Sequence, residues 1–429
     1  MFIKRAIFSP TLRLPARRCL ASAQIFGGAI KVPQIDTPFS LPWLRDSCQC
    51  SSCIHPSTRQ KLRESSSVSP QIRPSSEPNS VTLTETGLQI RWDSHFDPNG
   101  ESHTSVYPLE FFKRYSNGKS LYKFHKDLDV VRWTAADVKQ SSDLYITYSD
   151  IQNLSGLLKA ITQLVPYGLV FVTGVPPERT DDTTCELQKL GQMFGEIRDT
   201  FYGRVWDVKN VKNSKNIAYT NLNLDLHMDL LYFQNPPRYQ ILHCLRNRVK
   251  GGTSVFVDAF KAAEQLHASS PDSFELLAHV PVDFHYINDG HHLHHSHPTI
   301  ELKPAHARSG GSKARSSPDI AFVNYSPPFQ APLPVTTTSL FYPALADFVK
   351  FLRKPDNRLE YLLKEGDAVI FDNRRVLHAR TEFREWTDDE RPADVPASNE
   401  GATSRWLKGC YLEADPVWDR MRILRGNLD

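Results

Sequence analysis

The sequence predicts a mostly β protein with flanking helices, in which a β-barrel or jelly roll over residues 122–429 follows a small β-rich domain over residues 31–118. Short runs of β-branched and aromatic residues, separated by polar loops, recur after residue 120, for example YQILHCL, GGTSVFVDAF, DIAFVNY and DAVIFDN. Helical patterns such as DIQNLSGLLKAITQLV lie near the start of the same segment. Many strands buttressed by helices are typical of a barrel or a double-sheet fold.

The first 28 residues form a basic segment, and no acidic residue occurs before Asp36. A basic, hydroxyl-bearing, acid-poor segment that would be amphipathic as a helix is typical of a mitochondrial transit peptide. We therefore predict that residues 1–28 are a disordered leader for the mitochondrial matrix. A disordered basic tail on a cytoplasmic protein is the alternative. The basic side chains are those of Lys4, Arg5, Arg13, Arg17 and Arg18.

Composition argues against two classes of partner. The formal net charge is only +3, and part of it lies in the leader, so no nucleic-acid surface is expected. No apolar run is long enough to predict a helix across a bilayer. Residues 304–319 and 385–404 are polar, contain helix breakers and are predicted to be flexible insertions. The run HHLHHSH at residues 291–297 is predicted to be a solvated loop.

Three cysteines lie within six positions, as C-x-C-x-x-C at Cys48, Cys50 and Cys53. Thiolates this close cannot all pair as disulfides, but they can bind one tetrahedral zinc ion together with a fourth ligand from elsewhere. Structural zinc would stabilise a domain of about 80 residues, because so small a core is marginal alone. Three surface cysteines in a loop are the alternative. The spacing does not choose the fourth ligand among His55, His95 and His103.

The stretch LDLHMDLLYF, residues 224–233, places His227 and Asp229 inside an apolar run that predicts a buried strand. Residues i and i+2 of a strand share a face, so this imidazole and this carboxylate can bind one metal ion. With a second histidine they would complete the 2-His-1-carboxylate triad of non-haem Fe(II) oxygenases, which leaves open positions for a co-substrate and dioxygen. His378, where the apolar pattern GDAVIFDNRRVLHAR ends, is the candidate for that histidine.

The H-x-D motif alone does not decide the matter. HFD at residues 95–97 and HKD at residues 125–127 have the same spacing. Both lie in polar, loop-like surroundings, which favours the HMD sequence. Ordinary buried polar residues that satisfy each other's hydrogen bonds remain the alternative for His227 and Asp229.

Several segments occur in an order that resembles one family: WLRDSCQCSSC, FYGRVW, NIAYTNLNLDLHMD, GGTSVFVDAF, FDNRRVLHAR and RMRILRG. From about residue 38 to the C-terminus the chain is similar to the γ-butyrobetaine and trimethyllysine dioxygenases, Fe(II)- and 2-oxoglutarate-dependent enzymes of carnitine biosynthesis. The resemblance implies an oxidoreductase with a double-stranded β-helix (jelly roll) catalytic domain. It also implies 2-oxoglutarate as co-substrate, ascorbate as reductant, and dioxygen and a small betaine as partners. A homodimer is left open.

The resemblance implies that His227, Asp229 and His378 bind iron. It implies Arg405 as the partner of the distal carboxylate of 2-oxoglutarate, because SRWLKGCY is similar to the family segment that bears this arginine. A guanidinium suits that role, since it can grip a carboxylate with two hydrogen bonds. The acidic insertion widens the gap after His378, so Arg380 is the second candidate.

The resemblance further implies a zinc site and an aromatic cage. A trimethylammonium group would lie against ring faces, where each cation–π contact contributes about 1 to 2 kcal/mol once water is excluded. The matching cage residues are Tyr202, Trp206, Tyr219 and Tyr411. The implied zinc ligands are Cys48, Cys50, Cys53 and His103, the last because HTSVYPLEFF fits the family pattern better than the surroundings of His95.

One position bears on the substrate. Where trimethyllysine enzymes carry Asp, Asn216 matches the butyrobetaine enzymes; an acid there would attract an α-ammonium group and repel the carboxylate of γ-butyrobetaine. Two residues depart from those enzymes: Leu230 replaces a tyrosine that helps to hold the carboxylate, and Ile217 replaces a lysine near the co-substrate. Carboxylate recognition would then rest on Asn216 and Asn324.

The resemblance, with these residues, implies hydroxylation of γ-butyrobetaine to carnitine and decarboxylation of 2-oxoglutarate to succinate. Hydroxylation of trimethyllysine, of another betaine or of a specialised metabolite is the alternative within the same chemistry. A binding protein on a degenerate barrel is the non-enzymatic alternative. That class predicts a broken triad or a missing arginine. The sequence instead retains the complete triad and the arginine.

Overall fold

The computed structural model describes residues 23–96, 100, 102–210, 217–304, 318–393, 395 and 403–428. Most of the predicted leader and of the insertion at 304–319, and part of the insertion at 385–404, therefore lie outside the described residues. The chain divides into two compact units, residues 1–125 and residues 126–429. This division falls a few residues beyond the domain boundary predicted between residues 118 and 122.

The described part of the first unit consists of short strands and helices. The elements are β1 Gln24–Phe26, β2 Ala29–Lys31, β3 Phe39–Ser40, α1 Leu41–Asp46, β4 Val81–Leu83, β5 Gly87–Arg91, β6 Thr104–Pro108, α2 Leu109–Tyr115 and α3 Gly118–Phe124. They form two antiparallel sheets, β1-β2-β3 and β4-β5-β6. Strand β1 lies inside the segment predicted to be disordered, so that prediction is wrong for residues 24–26. Gly27 and Gly28 both have positive φ and close the β1–β2 hairpin, a conformation that favours glycine.

The core of the first unit positions its cysteine segment. Tyr107 on β6 is fully buried, and its hydroxyl donates a hydrogen bond to the Leu44 carbonyl of α1. Helix α1 ends at Asp46, so Cys48 follows it directly. His103 directly precedes β6. The packing of α1 on β6 therefore brings the two segments together.

The second unit is larger and mostly β. Its elements begin with α4 Ala135–Lys139, β7 Tyr145–Thr147, α5 Leu154–Tyr167, β8 Leu169–Thr173, α6 Glu186–Phe194, β9 Ile197–Arg198, β10 Trp206–Lys209, β11 Leu224–His227, β12 Tyr239–Asn247, β13 Val249–Gly251 and β14 Ser254–Asp258. They continue with α7 Ala259–Ser269, α8 Pro271–His279, β15 Pro281–Asn288, β16 His291–Pro298, β17 Ile300–Leu302, β18 Ile320–Val323, α9 Phe341–Leu352, β19 Arg358–Tyr361, β20 Ala368–Asp372, β21 Val376–Arg380, β22 Phe383–Glu385, β23 Arg405–Leu412 and α10 Ala414–Leu428.

Two sheets of the second unit pack face to face. The larger has the order β10-β23-β12-β20-β8-β7, with β9 also paired to β23, and the smaller has the order β11-β21-β14-β19. Phe256 of the smaller sheet contacts Phe171 and Phe371 of the larger sheet, each at 5.7 Å between ring centroids. All pairings within these two sheets are antiparallel except β7 with β8. This is the double-sheet core of a jelly roll, flanked by helices.

Helix α5 covers one face of the larger sheet. Its apolar residues Leu157, Ile161 and Leu164 recur at helical spacing and are buried against strands of that sheet. The Asn153 side chain caps the first turn, and Gly168, with φ of 73°, ends the helix in a left-handed conformation. The chain then enters β8 directly.

The histidine run HHLHHSH forms most of strand β16, so the prediction of a solvated loop is wrong. It pairs with β15 in an antiparallel hairpin, with His294 opposite His285. Outward-facing His292 and His294 alternate with inward residues such as the buried His297. None of the described helices combines the length and the apolar character needed to cross a membrane.

Candidate active site and metal centres

The three predicted iron ligands lie together in the second unit. Strands β11 and β21 pair so that His227 is opposite His378, and their ring centroids are 4.1 Å apart. Strand β11 ends at His227, so Asp229 lies just beyond the strand and not on it as predicted. Its Oδ1 is nevertheless 3.5 Å from His227 Nε2. One potential ligand atom from each residue lies within 4.8 Å of the others.

The protonation states of this triad suit a divalent cation. His227 Nδ1 lies 2.9 Å from the carbonyl oxygen of Asp225, which can only accept, so Nδ1 is the donor and Nε2 is the nitrogen that faces Asp229. Burial lowers the pKa of His378 to about 3, so its imidazole is neutral. Burial alone would raise the pKa of Asp229, but the neighbouring histidines and hydrogen bonding hold it below its ordinary value. A neutral His378 and an ionised Asp229 are the protonation states in which these side chains bind a metal.

Asp229 is held by residues from two other strands or their ends. The side chain of Asn373, just after β20, accepts a hydrogen bond from the Asp229 backbone N–H at 2.9 Å and donates one to its carbonyl at 3.0 Å. The hydroxyl of Tyr411 on β23 donates to Asp229 Oδ2 at 3.0 Å. The next residue, Leu230, has a φ of 65°, which is unusual for a non-glycine residue and fits a constrained site.

Both candidate arginines line the same cavity as the triad. Arg380 donates hydrogen bonds to the carbonyl oxygens of Ala218 and Leu222. Arg405 is 4% exposed, and its Nε has no hydrogen-bond partner among the described residues. Burial lowers the pKa of Arg405 to about 10, which still leaves the guanidinium charged. The Nε of Arg380 also has no partner in the described part of the chain, but both terminal nitrogens of Arg380 donate to carbonyl oxygens, so the structure favours Arg405 over Arg380 for the carboxylate.

The four predicted cage aromatics also line this cavity: Tyr202, Trp206, Tyr219 and Tyr411. The Trp206 ring lies 5.2 Å from the Tyr411 ring and 6.5 Å from the Tyr202 ring, measured between centroids. Gly409 of β23 pairs with Trp206, and a Cβ added at Gly409 would collide with the indole. The glycine in SRWLKGCY therefore allows the tryptophan to lie flat against β23.

Asn216 and Asn324 are the two residues predicted to bind the carboxylate of the substrate. Asn216 lies outside the described residues, as does the side chain of Ile217. Asn324 is buried, its amide nitrogen donates to the Pro298 carbonyl at 2.8 Å, and its oxygen accepts from Arg374 at 3.0 Å. It is not among the residues that line the cavity, so its substrate-binding role stays a prediction.

Sequence reasoning missed several residues of the site. Tyr232, Phe329, Gln240 and Ser254 line the cavity, and Asn373 holds Asp229. Asn373 lies inside FDNRRVLHAR, a segment already singled out by the resemblance, but nothing local marks its contact with a residue 144 positions away. Leu230, which departs from the butyrobetaine enzymes, lies in the cavity wall.

The cysteine cluster in the first unit also converges. His103 Nε2 lies 3.3 Å from Cys48 Sγ, 3.8 Å from Cys50 Sγ and 3.7 Å from Cys53 Sγ. Sulfur and nitrogen ligands on a tetrahedral zinc ion would be about 3.6 Å apart, given the usual zinc bond lengths. Burial raises the pKa of the Cys48 thiol to about 12. The geometry therefore fits a four-ligand site with no open position.

The other histidines considered for this site lie elsewhere. His55 Nδ1 accepts a hydrogen bond from the Thr58 backbone at 3.2 Å, within its own turn. The side chain of His95 is 87% exposed and lies 3.2 Å from the Asp93 carboxylate. Across the described ranges, the cysteine cluster and the His227 triad are the two groups of three or more Cys, His, Asp or Glu residues close enough to share a metal ion.

Comparison with known proteins agrees with the division of the chain into two compact units. Residues 134–411 match the taurine catabolism dioxygenase TauD, TfdA family, and residues 34–113 match the family described as gamma-butyrobetaine hydroxylase-like, N-terminal. The chain is 46% identical over 412 residues to dioxygenase str8 of Strobilurus tenacellus, covering 96% of this chain and 90% of the relative.

Two further relatives bear substrate names. The chain is 31% identical to the mitochondrial trimethyllysine dioxygenase of Gallus gallus, covering 94% of this chain and 87% of the relative. It is 28% identical to the gamma-butyrobetaine dioxygenase of Homo sapiens, covering 90% and 91%. These matches and the geometry above identify a 2-oxoglutarate-dependent dioxygenase, and the chain belongs to the TauD/TfdA family.

Proposed function

We propose that this dioxygenase hydroxylates a small molecule bearing a trimethylammonium group, with γ-butyrobetaine as the leading candidate and carnitine as the product. The observation that carries the proposal is the aromatic wall formed by Tyr202, Trp206, Tyr219 and Tyr411 in the cavity that also contains the triad. A quaternary ammonium ion cannot donate hydrogen bonds, so ring faces are among its few favourable partners. The wall would hold the cation and leave the chain of the substrate near the triad.

The residues present fit Fe(II) and 2-oxoglutarate. His227, Asp229 and His378 would hold the metal, and Arg405 would hold the distal carboxylate of 2-oxoglutarate. When bound, Fe(II) and 2-oxoglutarate would supply the oxidising chemistry, which consumes dioxygen and converts 2-oxoglutarate to succinate and carbon dioxide. The protein would orient the substrate, keep the His378 imidazole neutral and supply a fixed carboxylate. Ascorbate would serve as the external reductant.

The other end of the substrate is less constrained by the described residues. Asn216 favours a carboxylate over an α-ammonium group by the charge argument above, which supports γ-butyrobetaine over trimethyllysine. Leu230 lines the cavity, and its side chain offers the carboxylate no hydrogen bond. The aromatic rings of Tyr232 and Phe329 line the same cavity. These apolar contacts favour a second candidate, a more hydrophobic specialised metabolite with the same cationic group.

The direct test is succinate release from 2-oxoglutarate by the iron-loaded enzyme with γ-butyrobetaine, with trimethyllysine and without substrate. We expect γ-butyrobetaine to stimulate release most, and Trp206→Ala to raise its KM at least tenfold. Asp229→Ala should abolish release and serves as the inactive control. Preference for trimethyllysine would overturn the substrate assignment, and an unchanged KM in Trp206→Ala would overturn the placement of the cation.

We also propose that the first unit binds one structural zinc ion through Cys48, Cys50, Cys53 and His103. Support comes from the sulfur–nitrogen distances, which match the edges of a tetrahedral zinc site. A thiol such as Cys48, whose pKa is raised by burial, must lose its proton when zinc binds. Metal analysis of the purified protein should give one zinc per chain, and none in Cys53→Ser.

We propose, finally, that the basic N-terminal segment directs the protein to the mitochondrial matrix. The support is its composition alone, since residues 1–22 lie outside the described residues. Residues 1–28 fused to a fluorescent reporter should carry it into mitochondria. A cytoplasmic reporter would contradict the proposal.

A further inference from the structure

We infer that Tyr411 is a positioning residue for the metal-binding carboxylate of Asp229, in addition to forming part of the aromatic wall. Tyr411 is 2% exposed and its hydroxyl donates to Asp229 Oδ2 at 3.0 Å. The other carboxylate oxygen, Oδ1, is the one that lies 3.5 Å from His227 Nε2. The hydroxyl therefore marks Oδ2 as the oxygen that stays off the metal. The inference rests on the assignment of the triad as the iron site.

The backbone of Asp229 is already fixed by other contacts. Asn373 is fully buried and binds both the N–H and the carbonyl of Asp229, as a paired strand would. The preceding N–H, of Met228, donates to the Tyr325 carbonyl at 2.9 Å. With the backbone fixed on both sides, the remaining freedom of Asp229 is rotation of its side chain, and the Tyr411 hydroxyl removes that freedom.

The orientation matters because of the number of coordination positions. A six-coordinate Fe(II) bound by two imidazoles and one carboxylate oxygen keeps three positions, which suffice for a bidentate 2-oxo acid and one dioxygen molecule. A carboxylate bound through both oxygens would take a fourth position and leave none for dioxygen. A hydrogen bond to Oδ2 opposes that second mode, since it occupies the oxygen that would rotate onto the metal.

The ring of Tyr411 is also part of the aromatic wall. The Tyr411 ring lies 5.2 Å from the Trp206 ring, between centroids, at an angle of 34°. The hydroxyl and the ring thus have separable roles, because Tyr411→Phe removes the first and keeps the second. Tyr361 provides a matched control, since its hydroxyl donates to the Asp367 carboxylate at 2.9 Å and neither residue belongs to the triad.

The experiment is an anaerobic calorimetric titration of Fe(II) into the metal-free full-length protein. We expect Tyr411→Phe to weaken Fe(II) binding by about 10- to 100-fold, the usual effect of removing a hydrogen bond to a metal ligand. Tyr361→Phe should bind Fe(II) like the wild type. With saturating iron, Tyr411→Phe should lower kcat while the KM for γ-butyrobetaine changes less than about twofold, because the ring is retained.

The outcomes distinguish failure of the positioning role of Tyr411 from failure of the iron assignment of the triad. An unchanged dissociation constant for Fe(II) in Tyr411→Phe would overturn the positioning role and leave Tyr411 as a wall residue only. Failure of the wild type to bind Fe(II) would instead overturn the metal assignment itself. Should Tyr411→Phe fold poorly, a structure of the wild type with Fe(II) decides the matter: coordination by Oδ1 alone supports the inference, and coordination by both oxygens contradicts it.

Discussion

The two clusters of potential metal ligands differ in how the chain brings them together. In the first unit, three cysteines within six positions meet one histidine that precedes a short strand. In the second unit, His227 and His378 face each other across a pair of strands within a four-stranded sheet. The first cluster has four ligands and no open position, whereas the second has three and faces a cavity. The first geometry suits a structural ion and the second a reacting one.

The difference also concerns what holds each cluster in place. Helices of six or seven residues and strands of two to five surround the cysteines, and such short elements form only a small core around the ligands. The triad instead depends on strand register and on the hydrogen bonds between Asn373 and the Asp229 backbone. Neither of these requires a metal. Metal should therefore be part of the folding free energy of the first unit and contribute little to that of the second.

The largest expected effect is from metal removal. Treating the full-length protein with a strong zinc chelator should remove most amide-exchange protection from residues 23–125 and leave residues 126–428 protected. The reason is that the proposed zinc ion would supply the stability that this small core lacks. Hydrogen exchange followed by mass spectrometry measures both units in one sample.

Cys53→Ser should reproduce the effect of the chelator without any chelator. Cys185→Ser is the matched control, because Cys185 is also a buried thiol but belongs to neither cluster. Equal loss of protection in both units would remove the contrast between a metal-dependent and a metal-independent framework.

The next effect concerns the two buried arginines of the cavity. Arg405→Met should weaken 2-oxoglutarate binding roughly 100-fold, because it removes charge-assisted hydrogen bonds to a carboxylate worth about 3 kcal/mol. Arg380→Met should have a smaller effect on this constant, since two guanidinium nitrogens of Arg380 are used by backbone carbonyls. Anaerobic titration of the iron-loaded protein gives the dissociation constants, and the opposite ranking would exchange the roles of the two residues.

The smallest effect is the pH dependence that one buried histidine gives to the second unit. His243 on β12 is fully buried, and burial lowers its pKa to about 4. The unfolded chain, with a histidine pKa near 6.5, binds this proton at a higher pH than the folded chain does. Stability is therefore unaffected above about pH 6.5 and is lost as the pH falls towards 4, by about 3 kcal/mol for this side chain.

Urea denaturation of the second unit at pH 7 and at pH 5, followed by tryptophan fluorescence, measures this loss. His243→Leu should show a shallower decline with acid than the wild type. His292→Leu, on the exposed side of β16, is the control and should decline like the wild type. An identical pH dependence in His243→Leu would show that this histidine does not bind the proton.

The sequence was sufficient where the signal is local or lies in segment order. The cysteine spacing, the HMD motif in an apolar run and the strand patterns all predict features that the structure contains. Whatever depends on register or on contacts between distant segments was not predictable. Asn373 binds Asp229 across 144 positions, and the end of β11 before Asp229 follows from the pairing with β21.

At two further places the structure depends on contacts that the sequence does not show. HHLHHSH contains no residue that favours a buried strand except Leu293, yet pairing with the apolar strand β15 makes it one edge of a hairpin. Asn324 was predicted to bind substrate, but burial forces an amide to pair, and Pro298 and Arg374 take its hydrogen bonds. The partner of β16 is the neighbouring strand, whereas Pro298 and Arg374 lie 26 and 50 positions from Asn324.

One measurement tests the contrast between the two clusters most directly: anomalous diffraction from a single crystal of the protein, grown anaerobically with Fe(II) and 2-oxoglutarate, at the iron and zinc absorption edges. We expect an iron peak within bonding distance of His227 Nε2, Asp229 Oδ1 and His378. A zinc peak should lie among the three cysteine sulfurs and His103. An absent iron peak between the histidines, or the same metal at both positions, would contradict the assignment of one reacting and one structural ion.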